Sequence, residues 1–170
     1  MKFAIVDLDG TLISNSLEVY KKQLGLDIND KDIEKIADFL KILKDKKLSD
    51  ILKLKDYFDY NEELINLLYD KKKEKYILVL ITDNPGGEYF APPDLFDEIY
   101  LTIYLEVKEG VITENISKKS TKKEIVKNIL RNKSGIEIIE VYMDGSNSDY
   151  DMIKYIRDFY GNILKVYKIS

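Results

Sequence analysis

The stretch Phe3-Ala4-Ile5-Val6-Asp7-Leu8-Asp9-Gly10-Thr11 joins four apolar residues to two carboxylates and a glycine. A short continuous apolar run rich in β-formers and bounded by polar residues reads as a strand buried on both faces. Asp7 and Asp9 then emerge at its C-terminal end, the edge where open α/β sheets bind ligands. Alternation along an extended chain sends both carboxylates to the same side, and Gly10 lets the backbone turn away close to a ligand. Two like charges this near each other are unfavourable unless a cation or a shared proton relieves them, which points to a hard divalent metal. Alone, Asp9-Gly10 also reads as a strand-ending turn. A calcium loop of the helix-flanked kind is broken by Leu12, Ile13 and the preceding strand.

Working outward, similar apolar runs recur at residues 76–81, 138–143 and 163–167. Helical periodicity fills the intervals, so strands and helices alternate, which predicts an α/β fold with a mainly parallel sheet covered by helices. Residues 14–60 contain no strand-like run and read as an inserted helical unit. Asn15 with Glu18 forms a capping-box pattern and Gly25 suits a helix end, predicting a helix over 16–24. Asn29 caps a second helix striped by Ile33, Ile36, Ala37, Leu40 and Leu43. Ser49 opens a third with Ile51, Leu52, Leu54 and Phe58 as buried candidates, and Asn61 a fourth with Leu64, Leu67 and Leu68. Pro85, Gly86, Gly87, Pro92 and Pro93 predict a loop with at most a turn of helix. Residues 104–107 and 111–113 flank Gly110 as a β-hairpin, and residues 121–132 form a further helix.

The 170 residues suffice for one buried core, and 27 Lys and Arg against 31 Asp and Glu leave a net charge of −4, with no field to hold nucleic acid. With no cysteine and no histidine, disulfides, thiol nucleophiles and imidazole bases are excluded. Chemistry must run on carboxylates, lysine or hydroxyls. Met1 leads into a strand-like segment rather than a signal peptide, and no apolar run approaches the ~20 residues of a membrane span. These features predict a soluble cytoplasmic protein. The Lys, Ile, Tyr and Asn richness fits an AT-rich genome and a thermophile equally.

Two other strand ends carry chemistry: Ile81-Thr82-Asp83-Asn84, and Met143-Asp144-Gly145-Ser146-Asn147-Ser148-Asp149. Three strand ends thus deliver carboxylates or a hydroxyl to one rim, with Asp149 placed on the loop after Asp144. With these motifs the chain resembles the haloacid dehalogenase-like (HAD) superfamily, in its phosphoserine phosphatase-like branch, over nearly its whole length. Asp7-Leu8-Asp9-Gly10-Thr11 matches the first motif, Thr82 the second, and Asp144 with Asp149 the fourth. For the third-motif lysine, Ser120-Thr121-Lys122-Lys123-Glu124 favours Lys122, with Lys118, Lys119 and Lys123 as alternatives. Two features depart from the pattern, the missing full helix after Thr82 and the modest insertion.

The resemblance implies a Rossmann-like three-layer α/β/α core over residues 1–13 and 61–170, with residues 14–60 as a helical cap. It implies a Mg²⁺-dependent phosphatase acting on a small-molecule phosphomonoester. Asp7 would be the nucleophile and Asp9 the general acid and base. Asp7, Asp9, Asp144 and Asp149 would hold the metal; Thr82, Asp83, Asn84 and Lys122 would hold the phosphate. A metal- or phosphate-binding regulatory module and a scaffold are the alternatives. Tyr20, Lys21, Tyr57 and Tyr89 are possible pocket liners to which no role is assigned.

Overall fold

A computed structural model describes residues 1–25, 43–113 and 120–169, and the backbone alone of 114–118. In chain order the elements are β1 (Lys2–Val6), α1 (Ser16–Leu24), α2 (Leu48–Leu52) with a 3₁₀ turn (Lys53–Tyr57), α3 (Glu62–Lys73), β2 (Tyr76–Thr82), α4 (Gly87–Phe90), β3 (Glu98–Leu101), β4 (Ile103–Lys108), β5 (Val111–Lys118), α5 (Lys122–Arg131), β6 (Ile138–Met143), α6 (Asn147–Tyr160), a 3₁₀ turn (Gly161–Ile163) and β7 (Leu164–Lys168).

Five strands pair in parallel in the order β3-β2-β1-β6-β7, so β1 is central and the C-terminal ends of β1, β2 and β6 share one edge. Alternation divides the core between two faces. Phe3, Ile5, Val79, Ile81 and Val141 pack with Ile125, Val126 and Ile129 of α5 and Met152, Ile153 and Ile156 of α6. Ala4, Val6, Leu78 and Leu80 pack with Leu64, Ile65 and Leu68 of α3. The result is a three-layer α/β/α fold. The edge strand β3 escaped the sequence reading because its apolar run, Ile99 to Leu101, is only three residues long and passes through Thr102 straight into β4. β4 and β5 form the expected hairpin, with Gly110 at φ +77.

The inserted segment leaves and returns through a two-stranded neck. Ile13 bridges Tyr60, the Ser14 N–H donates to the Asp59 carbonyl at 3.1 Å, and the Asn61 N–H donates to the Leu12 carbonyl at 2.9 Å. Asn15 departs from expectation here, because its side chain does not cap α1. Its Nδ2 donates to Asp59 Oδ2 at 2.9 Å and to the Tyr57 carbonyl at 3.2 Å, while its Oδ1 accepts the Asp59 N–H at 2.8 Å. Three partners across the neck outcompete one local N–H. α2 begins at Leu48 rather than at a Ser49 cap, since the preceding residues pair with the hairpin tip through the Lys47–Val111 bridge. The expected helix capped by Asn29, with Ile33, Ile36, Ala37 and Leu40, lies outside the described residues. Leu43 is fully buried, and Val19, Tyr20, Ile51, Leu54 and Phe58 join the same cluster as Ala4 and Val6. Among the described residues no helix is long and apolar enough to cross a membrane.

Candidate active site

Asp7 is the first residue past β1, and its N–H still donates to the Tyr142 carbonyl at 3.0 Å. The chain then folds into a tight turn in which the Leu8 carbonyl accepts the N–H groups of Leu12 at 2.8 Å and Ile13 at 2.9 Å. Gly10 sits at φ +70, and a Cβ there would stand 2.5 Å from Asp144 Oδ2. Only glycine permits this approach between the turn and the end of β6.

At the centre lies Lys122, 2% exposed. A capping box fixes the start of its helix: Thr121 Oγ1 accepts the Glu124 N–H, and the Glu124 carboxylate accepts the Thr121 N–H at 2.9 Å. The Lys122 ammonium thereby reaches Asp7 Oδ1 at 2.7 Å and Asp149 Oδ1 at 2.7 Å, with Asp83 at 3.9 Å. Burial by itself would lower the lysine's pKa, but Asp7 and Asp149 reverse this and raise it. One ammonium offsets one negative charge, whereas Asp7, Asp9, Asp144 and Asp149 bring four carboxyl groups. Burial pushes Asp7 up to about 8 despite Lys122, with Asp149 and Asp9 adding to the rise. Asp9 is raised by burial against hydrogen bonds from Ser16 and Asn84. Asp144 is raised by burial and by Asp149, opposed by the Ser146 N–H that it accepts at 2.9 Å.

The excess negative charge suits a cation. Asp7, Asp144 and Asp149 each offer a carboxylate oxygen within 4.8 Å of the others, and Asp149 Oδ2 is buried without a hydrogen-bond partner. An all-oxygen donor set of this kind fits a hard divalent ion such as Mg²⁺.

The structure brings Thr82, Asp83 and Asn84 to the same rim and gives each of them defined contacts. Thr82, fully buried at the end of β2, accepts the Asn84 N–H at 3.0 Å on its hydroxyl oxygen, which leaves the hydroxyl proton to donate. Asp83 accepts from Thr102 Oγ1 at 2.5 Å and from Ser148 Oγ at 2.7 Å, so its carboxylate ties the junction between β3 and β4 to α6. Asn84 donates through Nδ2 to Asp9 Oδ1 at 3.1 Å. Asp149 is not on a loop: it lies in the first turn of α6, fully buried. The Ser146 backbone turn brings that helix in directly behind Asp144. Of the alternative lysines, Lys123 is exposed, Lys119 lies outside the described residues, and Lys118 is described by its backbone only. Tyr57 and Tyr89 are exposed, whereas Tyr20 is buried beside the site. Thr102 and Ser148 were missed, since lone hydroxyls carry no sequence pattern.

Known structures share this fold. A substrate-bound phosphoserine phosphatase complex superposes with a TM-score of 0.71 at 18% identity, over 91% of this chain and 83% of that one. The chain has the fold of the phosphoserine phosphatases. A phospho-aspartyl intermediate analogue of phosphoserine phosphatase shares that fold at a TM-score of 0.69 and 17% identity, covering 91% of this chain and 82% of the other. A HAD family hydrolase from Salmonella enterica subsp. enterica serovar Typhi matches at 0.69 and 15%, over 91% and 60%. No protein-family model and no curated protein matches the chain.

Proposed function

We propose that this chain is a Mg²⁺-dependent HAD-type phosphatase that hydrolyses a small-molecule phosphomonoester through an aspartyl phosphate on Asp7. The observation that carries the reading is Asp7 at the end of the central strand, held at 2.7 Å by a buried Lys122 with Asp144 and Asp149 alongside. The phospho-aspartyl analogue and the substrate-bound complex among the structures of the same fold support it.

With one oxygen fixed by Lys122, the Asp7 carboxylate is turned to attack phosphorus in line. An Asp7 Oδ–P bond forms as the ester P–O bond breaks, and Asp9 delivers a proton to the leaving oxygen. Asp9 then takes a proton from water, whose oxygen attacks phosphorus, releasing phosphate and restoring Asp7. Thr82 donates its hydroxyl proton to a phosphoryl oxygen, and Lys122 stabilises charge on another. Asp7, the Asp9 carbonyl and Asp144 would hold Mg²⁺, with Asp149 direct or through water, and the ion would supply the positive charge that lets an anionic nucleophile approach an anionic phosphate.

In this reading residues 1–13 and 61–170 form the phosphatase domain and residues 14–60 the cap, supported by the Ile13–Tyr60 neck beside the site. A cytoplasmic location accompanies it, in keeping with a chain that has no cysteine. The test is a phosphate-release screen over small phosphomonoesters, with Mg²⁺ and with chelator. Mg²⁺-dependent release that Asp7→Asn abolishes is the expected result. Release unaffected by chelator or by that substitution refutes the mechanism. Binding of Mg²⁺ and phosphate without turnover returns the chain to the regulatory-module alternative.

A further inference from the structure

Asp9 has a partner whose orientation is decided by the backbone. Asn84 follows Thr82 in the turn after β2, and the Gly86 N–H donates to its side-chain oxygen at 2.9 Å. A backbone N–H requires an oxygen opposite, so the amide cannot be flipped, and its NH₂ group must face the other way. There it meets Asp9 Oδ1 at 3.1 Å, a charge-assisted contact. A second donor locks the same amide: the hydroxyl of Tyr20 reaches Asn84 Oδ1 at 3.1 Å. Tyr20 is 1% exposed, and its ring is held by Phe58 and Phe90, each with a centroid 6.2 Å away. Because Tyr20 belongs to α1 of the insertion, Asp9 is tied through Asn84 to the seating of that helix.

We propose that Asn84, locked by Tyr20, is a positioning residue that aims the Asp9 carboxyl at the leaving-group oxygen. The proposal rests on the phosphatase reading above. In this role Asn84 serves Asp9 rather than the phosphate that the sequence reading assigned to it, since its amide is taken up by Asp9, Gly86 and Tyr20; the effect of both residues passes through Asp9. A misaimed acid penalises leaving groups that need a proton and spares those that depart as stable anions. Two variants separate this role from mere support. Asn84→Asp keeps the acceptor for Gly86 and Tyr20 but turns an oxygen against Asp9. Tyr20→Phe removes only the hydroxyl and keeps the ring packing.

The experiment measures kcat/KM, which reports the steps up to leaving-group departure, over aryl phosphates running from 2,4-dinitrophenyl to phenyl phosphate with Mg²⁺ present. For Asn84→Asp the loss on phenyl phosphate is expected to exceed that on dinitrophenyl phosphate by about tenfold or more, and for Tyr20→Phe by about threefold, within the range of general acid catalysis. The dependence on leaving-group acidity steepens in both. Equal losses across the series, or no loss on phenyl phosphate, overturn the positioning role while leaving the phosphatase reading intact. Wild-type protein that releases phosphate from no member of the series overturns the phosphatase reading, and this role with it.

Discussion

Replacing Asp7 by Asn removes the proposed nucleophile, and it should also make the metal-free protein more stable. Burial pushes the Asp7 carboxyl from 3.8 to about 8 in the fold. A group whose folded pKa is raised contributes stability that is complete below its unfolded pKa and is lost as pH rises through the folded value. Each pH unit between the two is worth about 1.4 kcal/mol. From 3.8 up to pH 7, wild-type protein therefore loses about 4 kcal/mol through this one residue. Asn cannot ionise, and its side-chain oxygen can still accept the hydrogen bond from Lys122. We expect Asp7→Asn to exceed wild type by about 2–4 kcal/mol at pH 7 in chelator, a rise in Tm of roughly 10 °C. Urea unfolding in chelator at several pH values from 5 to 8 measures this. The gap should widen with pH across that window and close when Mg²⁺ is added, because ligand that binds the folded wild type stabilises it by mass action. A variant no more stable than wild type at pH 7, or a gap independent of pH, refutes the account of Asp7 as a buried carboxyl short of positive charge.

Lys122→Met should abolish phosphate release. It should also lower stability by about 3–5 kcal/mol in thermal melts, since it strips the cation from Asp7 and from an Asp149 that is fully buried; an unchanged melting temperature contradicts the buried cluster. Gly10→Ala should cost about 1–2 kcal/mol from its left-handed backbone and should weaken Mg²⁺ binding in calorimetry, because the added Cβ displaces Asp144; wild-type affinity would show that the approach is not needed. Glu140, 1% exposed on β6, accepts from Lys71 at 3.1 Å, Tyr76 at 3.2 Å and Tyr142 at 2.8 Å. Burial would raise its pKa, but hydrogen bonds from Lys71 and Tyr142 lower it, so its contribution holds above 4.5 and fades as pH falls. Glu140→Gln should cost about 2 kcal/mol at pH 7 by urea unfolding, and the difference should shrink in acid; a constant difference across pH removes the charge from the argument.

The residues that sequence alone placed correctly are those whose surroundings are local. The run through Phe3 to Val6 had to be a two-sided buried strand, and the carboxylates after it had to stand at its C-terminal end. The helix expected over 121–132 matches α5, and the structure shows the Thr121–Glu124 capping box that fixes its first turn, with Lys122 at its start. Such signals act over a few residues of chain and survive folding unchanged. Asn15 is the instructive failure: its local capping pattern was sound, but Tyr57 and Asp59 across the neck offered more hydrogen bonds than its own helix.

What tertiary structure decided is how the strand ends and helix starts converge. Lys122 meets Asp7 across 115 positions of sequence, and Tyr20 meets Asn84 across 64. The parallel order with β1 between β2 and β6 brings those ends together, and packing of α5 and α6 on one face buries Lys122 and Asp149 side by side. A residue's letter states what it can donate or accept; which partner it meets, and whether water remains to compete, depends on how helices and strands stack. The same carboxyl is therefore an ordinary acid in the unfolded chain and a strained, cation-seeking one in the fold.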